Sequence, residues 1–186
     1  MRKMREILFA MLLLVVIVLI NSCGTSTADK SENSGKNDGK IKQQADGTIF
    51  LNIEQASCYK DQVNPSWNTA EWVFVVNKPG RYNVWLSSAT MDTMHLQYAS
   101  SVKITLLDER LDVQPVGNKI VLNSRDVKYP YYRADSYMGS FYIQEEGEYS
   151  IQVISEKALP QKDIASASSS PIHTKLMSVI LTPMTR

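Results

Sequence analysis

One ten-residue stretch concentrates side chains able to meet a ligand: Lys128-Tyr129-Pro130-Tyr131-Tyr132-Arg133-Ala134-Asp135-Ser136-Tyr137. Flat aromatic faces suit the apolar side of a pyranose, and charged or amide groups at their edges suit its hydroxyls. Tyr129, Tyr131, Tyr132, Arg133, Asp135 and Tyr137 are therefore the candidate ligand-binding residues, and Pro130 predicts that the segment lies outside a central strand. Trp67, flanked by Asn64 and Asn68, is a further candidate in a predicted loop. The alternative is that these tyrosines cover a core rim and that Trp67 packs between sheets. Trp72 and Trp85 follow the strand pattern and are expected in the core.

Catalytic templates find no support. His95 and His173 lie far apart in the chain, with no HExxH or paired-histidine spacing for zinc. There is no G-x-S-x-G turn, and nothing in the spacing of Asp61, Asp92, Asp108 and Asp135 selects two of them as a glycosidase pair. The expectation is a protein that is not an enzyme and that carries no cofactor and no metal.

The elements that must position the candidate residues follow an N-terminus with its own chemistry. Arg2, Lys3 and Arg5 precede an unbroken apolar run from Ile7 to Ile20. A positive start and an apolar run of 14 residues fit a secretory signal and fall short of a membrane-spanning helix. Leu19-Ile20-Asn21-Ser22-Cys23 then resembles the lipobox of bacterial lipoproteins. The resemblance implies cleavage after residue 22, diacylglycerol on the Cys23 thiol and a hold on the membrane through more than one acyl chain. Gly24 and Thr25 lack the aspartate that retains some such proteins at the inner membrane, so the expected location is the cell envelope, at the outer membrane.

The chain carries 20 basic and 19 acidic residues; less Arg2, Lys3, Arg5 and Glu6 of the signal, 17 basic and 18 acidic remain. Near-neutral charge without a basic tract argues against nucleic acid as a partner. With Cys23 lipidated, Cys58 is the one thiol left, and it reads as a small buried hydrophobe.

From Gly24 to Asp46 the chain is polar, with Ile41 its only large apolar residue, so residues 23–46 are expected to be a lipidated, flexible linker. Residues 47–186 change to short runs rich in β-branched and aromatic residues, which predict strands at 48–54, 71–76, 81–87, 102–107, 119–122, 140–144, 148–154 and 177–182. Such a pattern predicts an all-β, antiparallel sandwich or barrel. Within it, Phe74 to Ser88 and Phe141 to Ser155 match position for position, including Gly80 with Gly147 and Tyr82 with Tyr149. Tyr82, Val84 and Leu86 alternate onto one face, as do Tyr149, Ile151 and Val153, so both tyrosines are expected in the core. Residues 156–175 are serine-rich and without strand period, and read as a loop.

Together, residues 53–57, the Trp67 to Val73 segment, the Pro79-Gly80-Arg81-Tyr82 turn, Glu146 to Ile151 and the closing Val179 to Pro183 resemble the galactose-binding-like jelly rolls, which include carbohydrate-binding modules. The resemblance implies a jelly-roll β-sandwich. It also sets Glu54 at the early acid of a calcium site found in some of those modules, although the last strand has no carboxylate to complete it. Two functions are compatible with these residues. One is a membrane-anchored lipoprotein that binds carbohydrate; the other is a structural or assembly lipoprotein that docks onto another envelope protein.

Overall fold

The computed structural model describes residues 40–160 and 173–184, and these form an antiparallel β-sandwich of jelly-roll type. The strands are β1 (Ile41–Lys42), β2 (Ile49–Asn52), β3 (Ser57–Tyr59), β4 (Thr69–Val76), β5 (Gly80–Thr90), β6 (Val102–Leu106), β7 (Glu109–Val113), β8 (Lys119–Val121), β9 (Tyr132–Ile143), β10 (Gly147–Ile154) and β11 (Thr174–Pro183). The first sheet runs β1-β4-β10-β6-β7, with β3 also paired to β4; the second runs β2-β11-β5-β9-β8. All pairings are antiparallel except β1 with β4.

Period-two alternation sends one face of each sheet inward. Trp72, Phe74 and Val76 of β4, Ile151 and Val153 of β10, and Val102, Ile104 and Leu106 of β6 meet Tyr82, Val84 and Leu86 of β5, Phe141 and Ile143 of β9, and Leu176, Val179 and Leu181 of β11. The indole of Trp72 is buried, and its one polar atom donates to the Asn52 carbonyl at 2.7 Å, so no donor is stranded in the core.

The matched segments of the sequence occupy equivalent places. β4 crosses to the second sheet as β5, and β9 crosses back to the first as β10, so the two copies pair with each other. Phe74 lies opposite Tyr149, and Tyr82 opposite Phe141. Each crossing starts its second strand on a glycine at φ +155°, Gly80 and Gly147, a backbone region that a side chain disfavours. Each tyrosine hydroxyl then donates to a carbonyl four residues earlier, Tyr82 to Lys78 and Tyr149 to Glu145. Tyr82 is fully buried, whereas Tyr149 is partly buried against the core.

Strand structure is present before Gly47, inside the segment read as linker. Ile41 and Lys42 pair with Phe74 and Val75, and Ile41 packs on the core. The Gln43 side chain makes four bonds there. Its amide nitrogen donates to the Gly47 carbonyl (2.7 Å) and the Tyr82 hydroxyl (2.6 Å), and its oxygen accepts from the Asn77 and Lys78 amides (2.9 Å each). The signal, Cys23 and the rest of the linker lie outside the described residues, as does most of the serine-rich 156–175 stretch. At its start Ala158 and Leu159 are buried, and its end opens β11.

Candidate functional site

The Tyr129–Tyr137 segment is not loop throughout. From Tyr132 onward it is strand β9, paired to β5 on one side and β8 on the other, hence interior to the second sheet. Pro130 stands two residues before the strand and interrupts no ladder, which is how a proline coexists with an interior strand here.

Alternation along β9 sorts the candidates by face. Ala134, Ser136 and Met138 turn into the sandwich, and Arg133, Asp135 and Tyr137 turn out. Tyr132 falls in register with Thr90 on the inward series. Tyr131 meets Lys175 of β11, whose ammonium lies 4.6 Å from the ring centroid, and Tyr129 is 89% exposed beyond it. A β-bulge between Val84 and Trp85 brings Tyr137 opposite Trp85, and the two rings stand 5.3 Å apart at 59°.

Trp85 corrects the expectation of a core tryptophan. The alternation that buries Val84 and Leu86 on either side sends Trp85 to the opposite face, where it is half-buried beside Ile180. Trp72 is buried as expected.

On this outer face Arg133 and Asp135 form a locked pair. The carboxylate accepts from Arg133 Nε (2.8 Å), Arg133 Nη2 (3.1 Å) and the Ser87 hydroxyl of the neighbouring strand (2.8 Å). Asp126 accepts from Arg133 Nη1 at 2.7 Å. The hydrogen bonds to Asp135 hold the guanidinium pKa above its ordinary value, against the opposing effect of partial burial. Asp135 itself is only 6% exposed, so the pair is fixed before anything binds.

Two depressions lie along the face. One, of about 280 Å³, is lined by Trp85, Ile180 and Thr182 on one side and by Lys119, Arg133 and Asp135 on the other. The second, of about 360 Å³, includes Ala89, Asp126, Tyr129, Tyr131 and Lys175. Register links them, because Lys175 pairs with Ala89 and Ala89 with Arg133. The arrangement offers aromatic surface beside oriented donors and acceptors, the chemistry of a sugar-binding face. Sequence reasoning missed Trp85, Lys119, Lys175, Ile180 and Thr182; only the inward pattern of Tyr82, Val84 and Leu86 signalled the outward turn of Trp85.

Trp67 stands elsewhere. It ends a 3₁₀ turn over Pro65–Trp67, started by the Asn64 side chain accepting from the Ser66 amide, and leads into β4 of the first sheet. It is 60% exposed and lines neither depression. Asn68 after it is a structural residue, buried, accepting from the Asp61 amide and donating to the Glu156 carbonyl. Cys58 on β3 is half-buried against the core. Asp61 and Asp92 accept from backbone amides of the turns that follow them. Among the described residues no group of three histidine, cysteine, aspartate or glutamate side chains could hold a metal ion.

No protein-family model matches the chain, and no curated protein matches it significantly in sequence. Solved structures do match in fold. The crystal structure of an alpha-L-fucosidase from Vibrio sp. strain EJY3 superposes with a TM-score of 0.60 at 18% identity, over 78% of this chain. This chain spans 24% of that enzyme's length. A GH26-CBM35 beta-(1,4)-mannanase from Podospora anserina gives a TM-score of 0.45 at 11% identity, over 76% of this chain and 28% of that one. At this identity the likeness to the fucosidase is one of fold alone: a β-sandwich that also occurs within that longer chain.

Proposed function

We propose that this chain is a cell-envelope lipoprotein, anchored through Cys23 at the outer membrane, whose non-catalytic sandwich binds carbohydrate on the outer face of its second sheet. The observation that carries the reading is the Trp85–Tyr137 ring pair standing beside the locked Arg133–Asp135 pair. An aromatic surface alone would serve as packing. Set next to a rigid array of polar groups in an open depression, it serves a flat, hydroxylated ligand better than it serves the fold.

The direction of the chain fits this reading. Residue 40, through which the polypeptide leads back toward Cys23, directly precedes β1 of the first sheet, and β1 pairs with the end of β4 that precedes Gly80. Tyr131 and Lys175 lie at the other end of β5, about 33 Å away for a strand of 11 residues. The Tyr131 and Lys175 end of that face therefore stands far from the point where the described chain begins.

The test is retention of the purified chain in native gels cast with a panel of polysaccharides. Retention by at least one, weakened in Trp85→Ala and Tyr137→Ala variants of unchanged melting temperature, supports the reading. Failure of the wild type to interact with any polysaccharide removes it.

A further inference from the structure

We infer that the ligand of the second-sheet face is an anionic glycan, one bearing carboxylate or sulfate groups along its chain; this rests on the reading of that face as a glycan site. The two joined depressions carry four cations, Lys119, Lys128, Arg133 and Lys175, and two acids, Asp126 and Asp135. Both acids are paired with Arg133, so these three residues together carry one negative charge. The three lysines have no ion-pair partner among the described residues.

The placement of Lys119 makes the point most clearly. It is in register with Asp135 across the β8–β9 ladder, so a carboxylate stands directly opposite it. That carboxylate is turned instead to Arg133 and Ser87. Lys175, three strands away on β11, lies over the Tyr131 ring and so presents its charge beside an aromatic face. Three strand spacings set the two ammonium-bearing strands about 14 Å apart, with Arg133 between them.

A ligand that settles on this face strips water from these ammonium groups. Neutral hydroxyls replace the lost hydrogen bonds but not the lost charge solvation, whereas anions replace both. The chain beyond the signal has one more acidic residue than basic, so a local excess of two positive charges is a property of this face and not of the chain.

The experiment compares three probes, polygalacturonate, dextran sulfate and the neutral galactomannan of guar, against the full chain in detergent and its Lys119→Ala/Lys175→Ala variant. Expected is binding of one anionic polymer at least tenfold tighter than galactomannan, weakened about tenfold in the double variant and several-fold between 50 and 200 mM salt. Preference for polygalacturonate identifies carboxylate as the group recognised, and preference for dextran sulfate identifies sulfate. Galactomannan bound as tightly as either polymer, or an anionic preference that survives the double substitution, overturns the inference and leaves the carbohydrate face in place. Binding of none of the three, with none on a wider panel, overturns both.

Discussion

Replacing Asp135 with asparagine tests whether the polar half of the site is fixed in advance. The carboxylate accepts three hydrogen bonds, two of them from a guanidinium, and is nearly buried. Asparagine keeps one acceptor oxygen, which can still serve Ser87, but sets an NH₂ donor against an Arg133 donor. Charge-assisted bonds contribute about 1.5–3 kcal/mol each where they are buried. Arg133 is partly exposed and keeps Asp126, which brings the expected loss to about 2 kcal/mol in all. For a domain of this size that is a fall of roughly 8 °C in melting temperature. Glycan affinity should fall as well, because Arg133 is released to turn toward Asp126. Thermal unfolding by circular dichroism, paired with affinity gels, measures both. A loss below about 0.5 kcal/mol with unchanged binding would refute the claim that this pair is preorganised.

Other expectations concern the frame. Gln43→Ala removes four hydrogen bonds, two of them to the turn after β4, and should cost about 1–2 kcal/mol in urea unfolding, where a free linker residue would cost nothing. Gly139→Ala, at φ +128°, drives a Cβ to 2.8 Å from Leu111 Cδ2 and should cost about 2 kcal/mol or more, partly relieved by adding Leu111→Ala. Amides of Asn64 and Val63 hold the Asp61 carboxyl below its ordinary pKa. The stability this lends is present above the unfolded-state pKa and lost as pH falls through the lower folded value, so a carboxyl NMR titration should give a midpoint below that of an unfolded peptide. Radiolabelled palmitate should enter the wild-type chain and not Cys23→Ala; persistent label would remove the anchor.

The strands that show one apolar and one polar face, β4, β5, β6 and β10, were legible because alternation is written directly in their side chains. β7 was not: Glu109-Arg110-Leu111-Asp112-Val113 is an edge strand whose charges mask the period. The first half of β9 escaped because of the residues it carries. After Tyr132 its inward residues are small, Ala134 and Ser136, and its outward ones are Arg133, Asp135 and Tyr137, so the polar outer face masks the hydrophobic signal of the strand. β1 spans two residues, too short for any period, and is held by pairing to β4 and by Gln43. The candidate segment was thus found from composition. Its partners across the sheet, Trp85, Lys119 and Lys175, are far from it in sequence, and only strand register brings them together.

The most direct test of a carbohydrate face on the second sheet is the affinity of Trp85→Ala beside Trp67→Ala for whichever polysaccharide the wild type retains. Loss of a stacked indole from the centre of a site costs about 2 kcal/mol, or roughly 30-fold in affinity. The account predicts that loss for Trp85→Ala, with Trp67→Ala binding as the wild type does. Affinity lost with Trp67 and kept without Trp85 would contradict it and move the site to the opposite sheet.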